Sequence, residues 1–192
     1  MQHIVITETE NMEAHYNTIR SFFDVYDLPS ARKHITTSLL AINSTKLWKG
    51  KCPADLVFFY QEFRKLVIAA INIVRCGCVR EQVIISPQQK DTIPAIQNLD
   101  LYCGAMDKAD AWLYIPKYLS IKEFYNPYKA LKKANGYLEN YVLDDLLNEI
   151  IQYALSYGSY MEVGIEEDTL RLNVILQKII EAAYLVRVRT NE

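Results

Sequence analysis

The chain has 192 residues, of which 51% are hydrophobic and 23% charged, the composition of a folded domain and not of a disordered chain. Its 21 Lys/Arg and 23 Asp/Glu leave a formal net charge of −2, which gives no overall attraction to nucleic acid or to an anionic membrane. The longest strictly apolar run is Leu66–Ile71, far short of the roughly 20 residues a membrane-spanning helix needs.

The first ten residues, MQHIVITETE, lack the basic and apolar regions of a signal peptide. Four cysteines without secretory context read as reduced thiols, so the expected location is the cytoplasm.

In chain order, Thr7 and Glu10 have capping-box spacing and predict a helix to about Tyr26, with Met12, Tyr16, Ile19, Phe22 and Phe23 on its inner face. Pro29 starts a second helix, because its fixed φ and missing N–H suit a first turn. Residues 43–51 then form a basic loop holding Trp48 and Gly50. A third helix opens at Pro53 with Asp55 in its first turn, where the helix dipole favours negative charge. It is apolar on most of its circumference, which places it at the expected centre of the fold.

The next stretch, 76–119, reads as an irregular insertion. Gly77 breaks the third helix, Val79–Ile85 has the pattern of a short strand, and Trp112–Ile115 before Pro116 is expected to be extended. Within it Ile96, Leu99 and Tyr102 have helical spacing, with Gly104 as a stop. Ser120 with Glu123 forms another capping box, and Asn126-Pro127 restarts a helix that Asn135-Gly136 should end. Asp144 or Asp145 is expected to cap a helix to Tyr157, and Glu166, Glu167 and Asp168 to load the first turn of the last one.

Two stretches align with each other. Asp55 falls on Asp168, Lys65 on Lys178, Ala69 on Ala182 and Ala70 on Ala183, while just upstream Tyr26 falls on Tyr141 and Ile35 on Ile150. The pattern is that of a duplicated helical unit, approximately 22–75 and 137–188, joined by the insertion. Residues 22–75 carry eight Lys/Arg against four Asp/Glu, and 137–187 three against nine. One unit is thus basic and its twin acidic, a complementarity available between units or between subunits. The expected fold is one all-α domain over 1–192, a helical bundle of about six or seven helices with a pseudo-twofold relation between the units and room for a short strand pair in the insertion.

No nucleophile elbow, phosphate-binding loop, dinucleotide fingerprint or zinc-protease pair occurs, and no cofactor is expected. Cys76, Cys78 and Cys103 are the candidates for a soft metal, but they lack the paired spacing of zinc sites, and ordinary structural thiols are the simpler reading. His34 follows Arg32-Lys33 on a helix whose other face is apolar and is expected to be solvated. Asp145 and Glu149 share a helix face, which solvation explains without an ion.

The chain holds 14 tyrosines. Tyr114, Tyr118, Tyr125 and Tyr128 lie close in sequence to Lys129, Lys132 and Lys133, a combination suited to a partner-binding surface or to stacking bases and neutralising phosphates. The leading expectation is a non-catalytic interaction or regulatory module that binds a protein partner or itself. Nucleic-acid binding through the 114–133 strip is the second reading, and a metal- or small-ligand-dependent sensor or enzyme the third.

Overall fold

The structure, a computed structural model, describes residues 8–44, 47–50, 52–85, 99–103, 108–139, 141–156 and 169–190. These form eight helices: α1 (Glu8–Val25), α2 (Leu28–Ile42), α3 (Pro53–Arg75), α4 (Asp100–Cys103), α5 (Ile121–Tyr125), α6 (Tyr128–Leu138), α7 (Leu143–Ala154) and α8 (Thr169–Thr190). Two 3₁₀ turns, Glu81–Val83 and Lys108–Tyr114, lie between α3 and α5. Among the described residues there is no strand, and no helix is long and apolar enough to cross a membrane.

The enclosed element is α8. Every residue from Ile179 to Val186 is buried, which an amphipathic surface helix cannot achieve. Helices α2 and α6 pack along it, and α1, α3, α4, α5 and the Glu81–Val83 turn close the remaining sides. The small side chains of Ala182 and Ala183, both fully buried, leave room for those neighbours. This corrects the expectation that Pro53–Arg75 is the centre: α3 packs on α1, α6, α7 and α8, yet keeps Phe58, Gln61 and Lys65 exposed. Phe22, Phe59, Tyr60 and Phe63 nevertheless form an aromatic cluster between α1 and α3.

Caps explain several boundaries. Asp27 accepts the Ser30 N–H at 2.7 Å and so starts α2 one residue before Pro29. The Ser120–Glu123 capping box is complete at the start of α5. Gly77, at φ 70°, follows Cys76 at the end of α3, and the Cys78 N–H returns to the Ile73 carbonyl at 3.0 Å, the pattern of a Schellman stop.

Other expectations are overturned. Val79–Ile85 is no strand: Glu81–Val83 winds into a 3₁₀ turn that buries Val83, and Ile85 N–H bonds Tyr125 O at 2.9 Å. Trp112–Tyr114 belongs to a 3₁₀ turn, not to an extended segment. Helix α6 runs through Asn135-Gly136, because Ala134 and Leu138 continue its buried face, and Asn135 donates to Glu139. Asp144 does not cap α7, whose N-cap is Val142; it pairs instead with Arg64 through two hydrogen bonds. Thr7, Ile96, Gly104, Tyr157, Glu166, Glu167 and Asp168 lie outside the described residues.

Three buried polar anchors tie the helices together. The Glu181 carboxylate accepts from Arg32 at 2.5 Å and from the successive backbone N–H groups of Lys117, Tyr118 and Leu119 at 2.8, 2.9 and 3.2 Å. Arg32 also donates to the carbonyls of Leu113 and Ile115, so one ion pair pins α2, α8 and residues 113–119. Arg189, 5% exposed, is held by the carbonyls of Val83, Leu101 and Phe124 and lies over the Phe124 ring.

The third anchor is Glu123, fully buried and bonded to Lys133 and Lys178 at 2.8 Å each. Burial alone would raise its pKa, but the two ammonium groups and the Ser120 contacts outweigh it and hold the carboxyl at about 2, against an ordinary 4.5. A carboxyl whose pKa falls on folding stabilises the fold above its unfolded value, and that stability is lost as pH drops through the folded one. Unfolding stability is therefore expected to decline between about pH 4.5 and about pH 2, and Glu123→Gln to flatten that slope. Urea melts across this range check it; an unchanged slope in the variant contradicts it.

Among the described residues four ion pairs join residues 22–75 to residues 137–188, and all but Arg187–Asp24 run from the basic stretch to the acidic one. Arg32–Glu181, Arg64–Asp144 and Arg75–Glu139 all join a cation of residues 22–75 to a carboxylate of residues 137–188. Arg64–Asp144 and Arg75–Glu139 are solvent-exposed and contribute little energy each.

Candidate functional site: an aromatic cleft between α2 and α3

A cleft of about 510 Å³ opens where α2, residues 48–50 and the first turns of α3 meet. Its apolar surface comes from Tyr26, Trp48 and Phe58, with His34 among them, and its polar lining from Ser30, Lys33, Thr37, Lys49 and Asp55. Ser30, Lys33, His34 and Thr37 are three or four residues apart along α2 and therefore share one face.

Each ring is held from behind. His34 stacks on the buried Phe59 at 4.7 Å, with an interplanar angle of 17°. Its Nδ1 lies 2.9 Å from the Ser30 carbonyl; since a carbonyl only accepts, Nδ1 carries the proton. The position is half-buried and supported by stacking, which corrects the solvated site expected for His34. Tyr26 meets Phe59 edge-on at 5.2 Å. Burial first, then the charges of Asp55 and Glu62, raise its pKa, so its hydroxyl stays a donor.

Trp48 forms the outer wall. Its indole N–H donates to Thr37 Oγ1 at 3.0 Å, and its backbone N–H to the Ala154 carbonyl at the end of α7 at 2.9 Å. The ring lies against Gly50: a β-carbon there would sit 1.7 Å from it, so any side chain displaces the indole. In a Trp112→Phe background, which leaves Trp48 as the sole tryptophan, Gly50→Ala is expected to red-shift the emission toward that of a solvated indole. An unchanged spectrum contradicts the close approach.

Lys33 and Lys49 are exposed at the cleft. Neither makes an ion pair or hydrogen bond to a carboxylate among the described residues. The cleft thus combines aromatic surface with two cations that no described carboxylate pairs directly and the single carboxylate of Asp55, at a volume typical of ligand sites.

The residues singled out by sequence are distributed differently. Tyr114 and Tyr128 are buried, Tyr114 beside Tyr184 and Tyr128 hydrogen-bonded to Tyr16 at 2.7 Å. Tyr118 and Tyr125 are half-buried, while Lys129, Lys132 and Lys133 are exposed on α6. Two of the four tyrosines are thus buried and cannot stack on a ligand. Lys133 is already engaged by Glu123. A cleft of about 300 Å³ between α6 and α8 has the same character, its Lys133 and Lys178 paired with Glu123 and its Arg171 over the Tyr137 ring.

Of the metal candidates, Cys103 is buried and its thiol points to the Ala111 carbonyl at 3.5 Å. Burial first, then Asp100, pushes its pKa up, the opposite of what metal ligation needs. Cys76 and Cys78 are joined as a disulfide, which corrects the expectation of reduced thiols there. Gly77 at positive φ folds the chain so that their Cα atoms lie 5.3 Å apart, within disulfide reach. Among the described residues no group of three or more His, Cys, Asp or Glu could hold a metal ion.

Sequence reasoning noted Trp48 in a basic loop and missed the cleft. The available signal was Ser30, His34 and Thr37 at helical spacing on α2, with a Trp and a Gly two residues apart just beyond it. No protein-family model, curated protein or solved structure matches the chain.

Proposed function

We propose that the protein is a non-catalytic interaction module whose α2–α3 cleft takes a short acidic segment of a partner protein, anchored by one aromatic or large apolar side chain. The observation that carries this reading is the pairing of Tyr26, Trp48 and Phe58 with Lys33 and Lys49 in one cleft. Phe58 is 47% exposed, and covering it and the indole with an apolar anchor removes that surface from water. Aromatic anchors surrounded by charge complementarity are how compact interfaces concentrate their energy. The two lysines supply attraction for carboxylates and the salt dependence that goes with it.

Selection of random displayed peptides on the wild-type protein, run in parallel on a Lys33→Glu/Lys49→Glu variant, tests the reading. The wild type is expected to enrich sequences with two or more acidic residues flanking a Phe, Leu or Trp, and the variant to lose them. Enrichment of basic sequences, or the same sequences on both proteins, would overturn it.

Helix α2 packs on α7 as well as α8, and α3 packs on both α7 and α8, so corresponding elements of the two units face each other. This supports the reading of a duplicated unit with the cleft built on its first copy.

A further inference from the structure

The Cys76–Gly77–Cys78 turn lies apart from the cleft, at the far end of α3. We propose that it is a thiol–disulfide exchange site, opened and closed by low-molecular-mass thiols and disulfides while the fold stays intact.

Access comes first. Cys76 and Gly77 are exposed and Cys78 is half-buried; apart from these two neighbours, no atom lies within 4 Å of where a Gly77 side chain would start. A small thiol can therefore reach the Cys76 sulfur. The bond is also not what holds the turn. It links residues two apart in sequence, so the loop it closes is far shorter than those through which disulfides constrain an unfolded chain.

The turn has its own supports: Cys76 N–H to Asn72 O at 2.9 Å, Cys78 N–H to Ile73 O at 3.0 Å, and the Tyr16 hydroxyl to the Cys78 carbonyl at 3.0 Å. Tyr16 is in turn fixed by Tyr128 and lies under the Arg80 guanidinium at 4.1 Å. These contacts use backbone and rings, not sulfur, and persist when the disulfide opens.

The two sulfurs differ in role. Cys76 is the C-cap of α3, and Cys78 lies beyond it under the Tyr16 hydroxyl. As the more exposed sulfur, Cys76 is the one attacked. A thiolate of the reductant bonds to Cys76 Sγ, the Cys76–Cys78 bond breaks, and Cys78 leaves with the electron pair and takes a proton from water. A second thiol then displaces Cys76 from the mixed disulfide. The sum is one protein disulfide and two thiols giving one protein dithiol and one small-molecule disulfide, with two electrons transferred to the protein.

The test equilibrates the folded protein in dithiothreitol or glutathione redox buffers, alkylates with a maleimide, and reads mass and modified peptides. Cys52 is exposed and Cys103 buried, so Cys52 labels in both states and Cys103 only after unfolding. The oxidised protein is expected to take one label and the reduced protein two more, at Cys76 and Cys78, with an unchanged circular dichroism spectrum. In glutathione disulfide, a Cys78→Ser variant is expected to hold glutathione on Cys76, and a Cys76→Ser variant to hold less on Cys78. A pair that opens only when urea unfolds the chain, or that stays unbonded in oxidising buffer, would overturn the proposal.

Discussion

Glu181→Ala is expected to lower the free energy of unfolding by about 3–5 kcal/mol, the usual cost of breaking a buried ion pair by removing one partner. Glu181 is fully buried and Arg32 is 7% exposed. Without the carboxylate, the partners left for the charged end of Arg32 among the described residues are the carbonyls of Leu113 and Ile115. The amides of Lys117, Tyr118 and Leu119 lose their acceptor in the same step. Each buried donor left unmatched costs about 1–3 kcal/mol.

Glu181→Gln keeps the shape and one accepting oxygen, and its loss is expected to be smaller. Urea denaturation measures the global change, and amide hydrogen exchange at Lys117–Leu119 reports the local one. A loss below about 1 kcal/mol for the alanine variant, within the range of an exposed pair, would show that the anchor is solvated.

Phe63→Ala is the second large effect, expected at about 3–5 kcal/mol for truncating a fully buried Phe. Phe63 is parallel to Phe59 at 5.7 Å and edge-on to Tyr60 at 6.2 Å. Phe59 is also the ring on which His34 stacks. The cavity therefore opens behind the cleft, and the variant is expected to lose affinity there as well as stability. Phe63→Leu fills most of the space and should cost less than about 1.5 kcal/mol, the range of volume-conserving swaps. Thermal melts with calorimetry give the ordering; equal losses for the two variants would mean the aromatic cluster is loosely packed.

Local signals in the chain were sufficient wherever the determinant was local. Pro53 with the apolar run to Val74, Pro29 at the start of α2 and the Ser120–Glu123 box each specify a helix from within a few residues. Failures came where a distant partner decides. Arg32 reads as a surface cation until Glu181, 149 positions away, is folded against it. Val83 and Ile85 alternate like a strand, but a 3₁₀ turn buries Val83, and the Ile85 N–H is taken by the distant Tyr125 carbonyl. Gly136 looks like a stop, yet Leu138 in the core keeps α6 helical past it.

The cleft was illegible for the same reason. Tyr26, His34, Trp48 and Phe58 come from four separate segments, and Phe59 and Gly50 shape them from behind. Tyr114 and Tyr128, conversely, are adjacent to lysines in sequence while their rings point into the core.

The cleft as a site for acidic, apolar-anchored segments is tested most directly by titrating the Trp112→Phe protein with a panel of synthetic acidic peptides, each carrying one Phe or Leu and no Trp. The emission of Trp48 is expected to change saturably, with affinity falling as salt is added and dropping about tenfold, some 1.4 kcal/mol, in the Lys33→Glu/Lys49→Glu variant. An emission that stays constant across the panel, or a response identical in the charge-reversed variant, would contradict it.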